Sequence, residues 1–205
     1  MFYDKELIAH KLTRWEKFIS NFSLPSWENI PNFGLYMDQV ILLLTQYLEI
    51  ILYTADKEAS GDDEQKVFTA AAINNYVRLK IMPAPIKKKY YRVHIAYLIM
   101  IFTLKQSLSI NLLKEIIPEC LSEEQVKSIY TSYVNKHHEV SLSFVDTVRR
   151  NTKDILEPTS SEHTVSDFIV EEALIAGFAK IFTEKMLKLK GLKKEEVLIT
   201  EIDRG

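Results

Sequence analysis

Four polar residues between positions 69 and 78 have the types and spacing of a helix that reads DNA. Thr69 precedes a helix-forming stretch, and its hydroxyl can accept a hydrogen bond from a free amide of the first turn. Asn74, Asn75 and Arg78 follow on the more polar sides of that helix. An Asn amide can pair with adenine in the major groove, and Arg can reach guanine or a phosphate. The pattern predicts DNA contacts, against the alternative of an ordinary exposed polar face.

A cluster of cations and aromatic rings follows. Pro83 and Pro85 end the helix, and the next six residues have the β-branched and aromatic ends of a tight hairpin. Its candidate DNA-contacting residues are Lys87, Lys88, Lys89, Tyr90, Tyr91 and Arg92. Four cations beside two rings suit phosphate binding by a wing. A solvated loop is the alternative for the lysines, and Tyr90 could instead cover the hydrophobic base of the hairpin.

The charge of the chain is strongly uneven. Residues 65–114, the carboxylate-free segment, hold nine Lys and Arg residues and no Asp or Glu. The rest of the chain holds 17 basic and 28 acidic residues, although the net charge of the whole is only −2. An acidic body with one basic segment is the distribution expected when a single surface meets polyphosphate. Surfaces that only solubilise a protein usually mix both signs.

The elements that position these residues are predicted to be helices. Five glycines and six prolines in 205 residues favour long helices with few turns. The apolar periodicity predicts helices over residues 4–22, 36–53, 70–80, 92–107, 110–117, from 122 to at least 148, and 165–190. Ser122 and Gln125 form a capping box, Thr164 is a predicted N-cap, and Gly191 a predicted helix end. Residues 54–65 are a polar, acidic linker.

Other chemistry finds little support in the sequence. There is no Gly-rich phosphate loop, nucleophile elbow or zincin motif, so we expect no enzyme and no cofactor. His137 and His138 are adjacent, and neighbouring side chains on a helix diverge by about 100°, which argues against a shared metal ion. The lone Cys120 is interpreted as a buried small hydrophobe. The aromatic residues that could line an effector cavity, or form plain core, are Trp15, Trp27, Phe168, Phe178 and Phe182.

Localisation follows from what the sequence lacks. The first residues alternate charges too early for a signal peptide, and the longest uncharged apolar run, residues 95–104, is too short to cross a bilayer. We therefore expect a cytoplasmic protein.

Several stretches of the chain resemble known bacterial families. Residues 68–76, 81–83 and 89–92 resemble the winged helix-turn-helix of MerR-type regulators, which implies a Thr-capped recognition helix followed by a Tyr-Arg-bearing wing. Residues 25–28, 35–40, 73–77 and 85–90 resemble the bacterial domain-of-unknown-function family numbered 1836, over about residues 24–121. The chain departs from the MerR pattern by its acidic linker, by Lys80 where Gly is usual, and by Asn74 where Arg is usual.

Together these features predict an all-α, bacterial transcriptional regulator that binds double-stranded DNA sequence-specifically. Residues 1–121 would form the N-terminal helices and a central MerR-like winged helix-turn-helix, with a short β-hairpin as its wing. Residues 122–205 would form a helical dimerisation or effector region of a homodimer, because one motif buries too little surface for operator-grade affinity. The last helix is the candidate subunit contact, through Phe168, Ile169, Ile175, Phe178, Phe182 and Met186. A helical protein-interaction adaptor that never touches DNA is the alternative.

Overall fold

The computed structural model describes residues 4–53, 67–118, 121–156 and 165–192. These residues form eight α-helices, one 3-10 helix at Trp27–Asn29 and no β-strand longer than an isolated bridge. The α-helices are α1 Lys5–Asn21, α2 Met37–Tyr47, α3 Glu49–Tyr53, α4 Ala70–Arg78, α5 Arg92–Leu104, α6 Ile110–Ile116, α7 Glu123–Leu156 and α8 Val165–Lys188. The all-α expectation is confirmed for this part of the chain. The predicted acidic linker, Thr164 and Cys120 lie outside it.

Local sequence signals fix several helix ends. Asp4 caps α1 by accepting from the Leu7 amide at 3.0 Å. Ser122 and Gln125 form the predicted capping box, because Ser122 Oγ accepts from the Gln125 amide at 3.3 Å and Gln125 Oε1 from the Ser122 amide at 2.9 Å. Gly191 has φ 81° directly after the last turn, a conformation that glycine adopts without strain.

One predicted helix is interrupted. The sequence predicts a single helix over residues 36–53, but α2 ends at Tyr47 and α3 begins at Glu49. Leu48 lies between them with φ −118° and ψ 33°, outside the helical region, while its side chain is fully buried. Burial of Leu48 therefore accompanies a break that the apolar periodicity alone does not signal.

Helix α5 is the centre of the molecule. Its residues from His94 to Phe102 are all buried, which is why the sequence is apolar on every side of the helix. It packs against α2 and α7, and the Phe102 ring meets Phe68 and Tyr76 edge-on, with centroids 4.8 and 5.5 Å apart. The core therefore gathers around the helix that follows the basic hairpin region.

Helix α7 joins the body of the molecule to its last helix. At 34 residues it is about 50 Å long. Val126 and Tyr130 in its first turns belong to the central core, and α1 packs along it, with Arg149 Nε 2.8 Å from Glu16 Oε2. The boundary predicted at residues 121 and 122 falls directly before these first turns. Helix α8 packs against α6 and α7.

Among the described helices, none has the length and apolar character needed to cross a bilayer. Nor do the described residues include a group of three or more His, Cys, Asp or Glu side chains placed to hold a metal ion.

Candidate nucleic-acid interface

The predicted recognition helix, α4, is capped and amphipathic. Thr69 Oγ1 accepts a hydrogen bond from the Ala72 amide at 3.1 Å, so Thr69 is the N-cap. Ile73 and Tyr76 are fully buried and hold the helix against the core. Asn74 on the other side is exposed. The helix thus presents a polar face while two large side chains anchor it.

The remaining polar residues of α4 are linked to each other. Arg78 is exposed, and its Nη2 donates to Asn75 Oδ1 at 2.7 Å. Asn75 is half-buried. An Arg whose guanidinium is already oriented by a neighbour loses less side-chain freedom on binding a planar acceptor. Asn75 is therefore placed to orient Arg78, and Asn74 and Arg78 are the exposed polar groups of the helix.

A left-handed lysine ends α4. The amide of Lys80 donates to the Val77 carbonyl and the amide of Ile81 to the Tyr76 carbonyl, both at 3.0 Å, which is the Schellman pattern. Lys80 itself has φ 56°, the position that glycine usually occupies in this motif. The chain therefore holds a cation where backbone energetics favour a residue without Cβ.

Residues 86–89, the basic turn, close on themselves. The Ile86 amide donates to the Lys89 carbonyl at 3.0 Å, and the Lys89 amide to the Ile86 carbonyl at 2.9 Å. Lys87 and Lys88 between them have φ 49° and 64°, the two positive values of a type I′ turn. Both lysines are exposed. The region is a two-residue reverse turn flanked by isolated bridges, and the short β-hairpin that the sequence predicts is not confirmed as a pair of strands.

The base of the basic turn is fixed to the segment before α2. The Leu35 and Tyr90 backbones exchange two hydrogen bonds of 2.8 Å. A Cβ on Gly34 would lie 2.9 Å from Lys89 Cβ, so only glycine allows this close approach. Lys89 Nζ lies 5.3 Å from the Tyr36 ring centroid, a cation–π distance. Lys89 is therefore more confined than Lys87 and Lys88.

His94 connects both sides of the turn from inside the protein. The buried imidazole accepts from the Tyr91 amide through Nδ1 at 3.0 Å. Its proton is then on Nε2, which donates to the Ala84 carbonyl at 3.0 Å. The Tyr90 ring also meets it edge-on, with centroids 5.7 Å apart. One side chain thus positions the residues that precede the turn and those that follow it.

Two predicted DNA-contacting residues are used inside the protein. Tyr90 is only 2% exposed, and burial raises the pKa of its phenol, so it remains neutral and covers the base of the turn. This is the second of the two roles that the sequence left open. Arg92 donates from Nε to the Ile30 carbonyl at 2.8 Å, and its guanidinium lies 5.6 Å from the Trp27 ring centroid.

The predicted site residues therefore separate into three groups. The exposed ones are Asn74, Arg78, Lys87 and Lys88, and those half-buried are Thr69, Asn75, Lys89, Tyr91 and Arg92. Tyr90 is buried. Sequence reasoning missed Lys80 as a site residue, as well as Gly34 and His94. The Lys at a position where Gly is usual was the available signal for Lys80, whereas nothing in the local pattern indicated contacts of Gly34 and His94 with distant residues.

Ion pairs lie elsewhere in the described part of the chain. They join Lys127 to Glu28, Lys136 to Glu139, and Arg149 to Glu16 and Asp146. Among described residues, no carboxylate within 4 Å neutralises a lysine or arginine of residues 67–114.

The aromatic residues proposed to line an effector cavity do not share one environment. Trp27 is buried beside Arg92 and Tyr130, with its ring centroid 6.2 Å from that of Tyr130. Phe178 and Phe182 are 68% and 67% exposed. Such exposure means that these two phenylalanines neither enclose a cavity nor contribute to a core in the described structure.

Comparison with known proteins gives one match. The family described as "Domain of unknown function (DUF1836)" matches residues 25–137. No curated protein and no solved structure matches the chain. The matched residues include the segment before α2, α4, the basic turn, α5, α6 and the first turns of α7. Because the family model covers more than half of the 205 residues, the chain belongs to the DUF1836 family.

Proposed function

We propose that the protein is a sequence-specific DNA-binding transcriptional regulator, with α4 as the recognition helix and the basic turn as the wing of a MerR-like winged helix-turn-helix. The observation that carries this proposal is that the strained backbone positions of the described structure are occupied by cations. Three non-glycine residues of the described structure have positive φ, and all three are lysines of the carboxylate-free segment: Lys80, Lys87 and Lys88.

The left-handed conformation costs an L-residue with a Cβ roughly 1–2 kcal/mol. Glycine would remove the cost at Lys80, and the sequence Asn-Gly would largely remove it in a type I′ turn. Lysine offers no compensating backbone advantage, since its long side chain does not bond locally as Asn does. Strained backbone is characteristic of functional positions, and here the side chains it retains are cations. Cationic side chains at these positions favour a partner with many phosphates, such as DNA.

The exposed side chains of α4 add the means of reading sequence. Asn74 matches the paired donor and acceptor of adenine, and Arg78, which only donates, matches the two acceptors of guanine. Thr69, at the N-cap, holds the end of α4 where backbone amides can approach a phosphate. In this arrangement the lysines of the basic turn fix the position of the protein on the duplex, and α4 discriminates between bases.

The first experiment removes charge without damaging the turn. In the double substitution Lys87→Asn with Lys88→Gly, the favoured type I′ sequence replaces the two lysines. Binding to mixed genomic DNA is measured by fluorescence anisotropy at several salt concentrations. We expect the slope of log affinity against log salt to fall in magnitude by about 1.8, because two phosphate contacts are lost at about 0.9 each.

The matched control removes two cations elsewhere. Arg14→Gln with Lys17→Gln changes the net charge equally, but these exposed residues lie on α1, outside the carboxylate-free segment. The slope should stay that of the unmodified protein. Equal slopes for all three proteins would exclude the wing assignment. Absence of DNA binding by the unmodified protein at low salt would favour the adaptor instead.

The second experiment distinguishes recognition of the base sequence by α4 from binding of the phosphate backbone by the basic turn. Asn74→Ala should weaken binding to the preferred sequence, selected beforehand from random duplexes, by about 1–3 kcal/mol while leaving binding to mixed DNA and its salt slope unchanged. A uniform loss on all sequences would assign Asn74 a structural role instead.

A further inference from the structure

Helix α8 exposes an unusually large apolar surface. No residue of this helix, all of which the structure describes, is buried. Its exposed large apolar side chains are Ile169, Val170, Leu174, Ile175, Phe178, Ile181, Phe182 and Met186. A helix that ends as a solvated surface element normally carries polar residues at most of these positions.

The side of α8 that faces the rest of the molecule is defined by its contacts. Asn151 Nδ2 of α7 donates to Glu172 Oε1 at 3.3 Å, and Lys190 Nζ, just after α8, donates to the Glu115 carbonyl of α6 at 2.6 Å. At 100° per residue, Leu174, Phe178 and Ile181 lie on the side opposite Glu172. These three residues, with Val170 and Phe182, form what we call the outer stripe.

The exposed area is the size of an interface. Phe178 and Phe182 are two-thirds exposed, and an aromatic side chain presents roughly 150–250 Å², so each leaves about 100–170 Å² in water. With the three aliphatic residues of the outer stripe, each a little more than half exposed, the total is on the order of 600 Å², at the upper end of the roughly 300–600 Å² of the largest patch on a typical monomer. Specific interfaces bury about 1,200–2,000 Å² in total, so this matches the roughly 600 Å² per partner of the smaller ones.

The charges of α8 are arranged with opposite signs at its two ends. On the side of the outer stripe, the half before Gly177 carries Asp167 and Glu171, since Glu172 faces α7. The half from Gly177 onward carries Lys185 and Lys188 on that side. A second α8 running antiparallel would place each acidic half beside a basic half, whereas a parallel one would place like charges together. The surface is therefore complementary to itself.

The spacing of charged and apolar residues along α8 also fits an antiparallel pair. Glu171 and Lys185 lie seven residues on either side of Phe178, and both fall within about 20° of its direction on the helix. Leu174 lies four residues before Phe178, and Ile181 lies three residues after it. A two-fold axis near Phe178 thus brings Glu171 opposite Lys185 and Leu174 opposite Ile181, twice each, which is the requirement for an isologous contact.

We infer that the occupant of the outer stripe is a second copy of this chain, whose α8 packs antiparallel about a two-fold axis near Phe178. The inference does not depend on the proposed DNA-binding function, because it uses none of the residues of the carboxylate-free segment.

Charge reversal tests both the partner and the orientation. The full chain is studied by sedimentation velocity over a range of concentrations. The unmodified protein should be a dimer at micromolar concentration. Glu171→Lys and Lys185→Glu alone should each raise the dimer dissociation constant at least tenfold, since each places two like-charge contacts across the axis. The double variant should recover most of that loss, because reversing both partners restores opposite charges.

A thiol at the axis provides an independent check. In a Cys120→Ser background, Phe178→Cys should form a disulfide-linked dimer under mild oxidation, because the two copies of residue 178 face each other. Ile169→Cys, on the other side of the helix, should not. A monomeric unmodified protein, no effect of the single reversals, no recovery in the double variant, or equal cross-linking at both positions would each overturn the inference.

Discussion

The body of the molecule and helix α8 use apolar residues in opposite ways. In α5 a continuous apolar run is buried from His94 to Phe102. In α8 more than half of the residues are apolar, and none of them is buried within the described structure. Both helices have apolar side chains on several sides, so the sequence pattern alone does not distinguish them. What differs is how much of each helix the rest of the molecule covers, since nine consecutive residues of α5 are buried and none of α8.

The two regions also place unfavourable residues differently. At the end of α4, Lys80 occupies a left-handed position that suits glycine. In the middle of α8, Gly177 occupies a helical position that suits alanine, and a Cβ there would meet no atom within 4 Å. The first mismatch adds a cation to the proposed DNA surface. The second has no packing reason within the described structure. The comparison therefore separates a deviation that adds charge to an exposed surface from one for which the described structure gives no packing reason.

The largest expected effect tests the contrast between the two helices directly. Ile99→Ala, in fully buried α5, should lower the free energy of unfolding by about 2–5 kcal/mol, because it removes apolar contacts and leaves a cavity. Leu174→Ala in α8, where the side chain is 55% exposed, should change the stability of the monomer by less than about 0.5 kcal/mol. Urea denaturation at low protein concentration measures both. Equal losses would mean that α8 belongs to the same folding unit as α5.

Replacing Lys80 tests the first half of this comparison, which concerns the body of the molecule. Lys80→Gly should raise the free energy of unfolding by about 1 kcal/mol, because glycine adopts φ 56° without the Cβ penalty. If Lys80 contacts phosphate, the same variant should bind DNA more weakly at low salt. Denaturation and anisotropy on one preparation give both values. Lys105→Gly, where φ is −66°, is the control and should lower stability instead.

Much of the helical scaffold could be predicted because its signals are local. Thr69 and Ser122 cap helices through side chains that act within three residues, and both are where the sequence placed them. The break at Leu48 has no such local signature, since Leu is not typical of a helix end, and its side chain is fully buried. For the left-handed conformation of Lys80 the available signal was the Gly usual at that position in the MerR pattern, because the residue type itself does not favour a positive φ.

The candidate site was harder to predict than the scaffold. The charge asymmetry predicted a cationic segment that meets DNA, and among the described residues the cations of this segment have no carboxylate partner. It did not separate Lys87, which is exposed, from Arg92, which is bonded to the Ile30 carbonyl. Contacts such as that of His94 with Ala84 and Tyr91 join residues by tertiary geometry, and residue types alone do not specify them.

Replacing Gly177 of α8 should change the free energy of unfolding less than replacing Lys80. The reason is the opposite one, because here a residue with a Cβ replaces a glycine. Gly177→Ala should stabilise the protein by about 0.5–1 kcal/mol, because alanine loses less backbone entropy in a helix and meets open space here. Thermal or urea unfolding measures it. Gly34→Ala is the opposing control and should destabilise, since its Cβ would lie 2.9 Å from Lys89 Cβ. At low protein concentration, where the inferred dimer dissociates, a loss of stability in Gly177→Ala would mean that another part of the same chain lies against α8 at this position.

The smallest expected effect is a pH dependence where α1 packs on α7. His137 Nδ1 is buried without a hydrogen-bond partner among the described residues, and the Phe22 ring meets the imidazole edge-on. Burial lowers the pKa of His137 below its ordinary 6.5, and the neighbouring His138 adds to this. As the pH falls through 6.5, the unfolded chain takes up this proton before the native chain does. The free energy of unfolding should therefore decrease as the solution becomes acidic.

The measurement compares chemical denaturation at pH 7.5 and pH 5, where most carboxylates are still ionised. His137→Gln removes the titrating group and should reduce the difference between the two pH values, whereas His138→Gln, at an exposed position, should leave most of it. The common contribution of all other groups cancels in this comparison. An identical pH dependence in the unmodified protein and His137→Gln would mean that the imidazole reaches water in the native state, and that α1 covers α7 less closely than the Phe22 contact indicates.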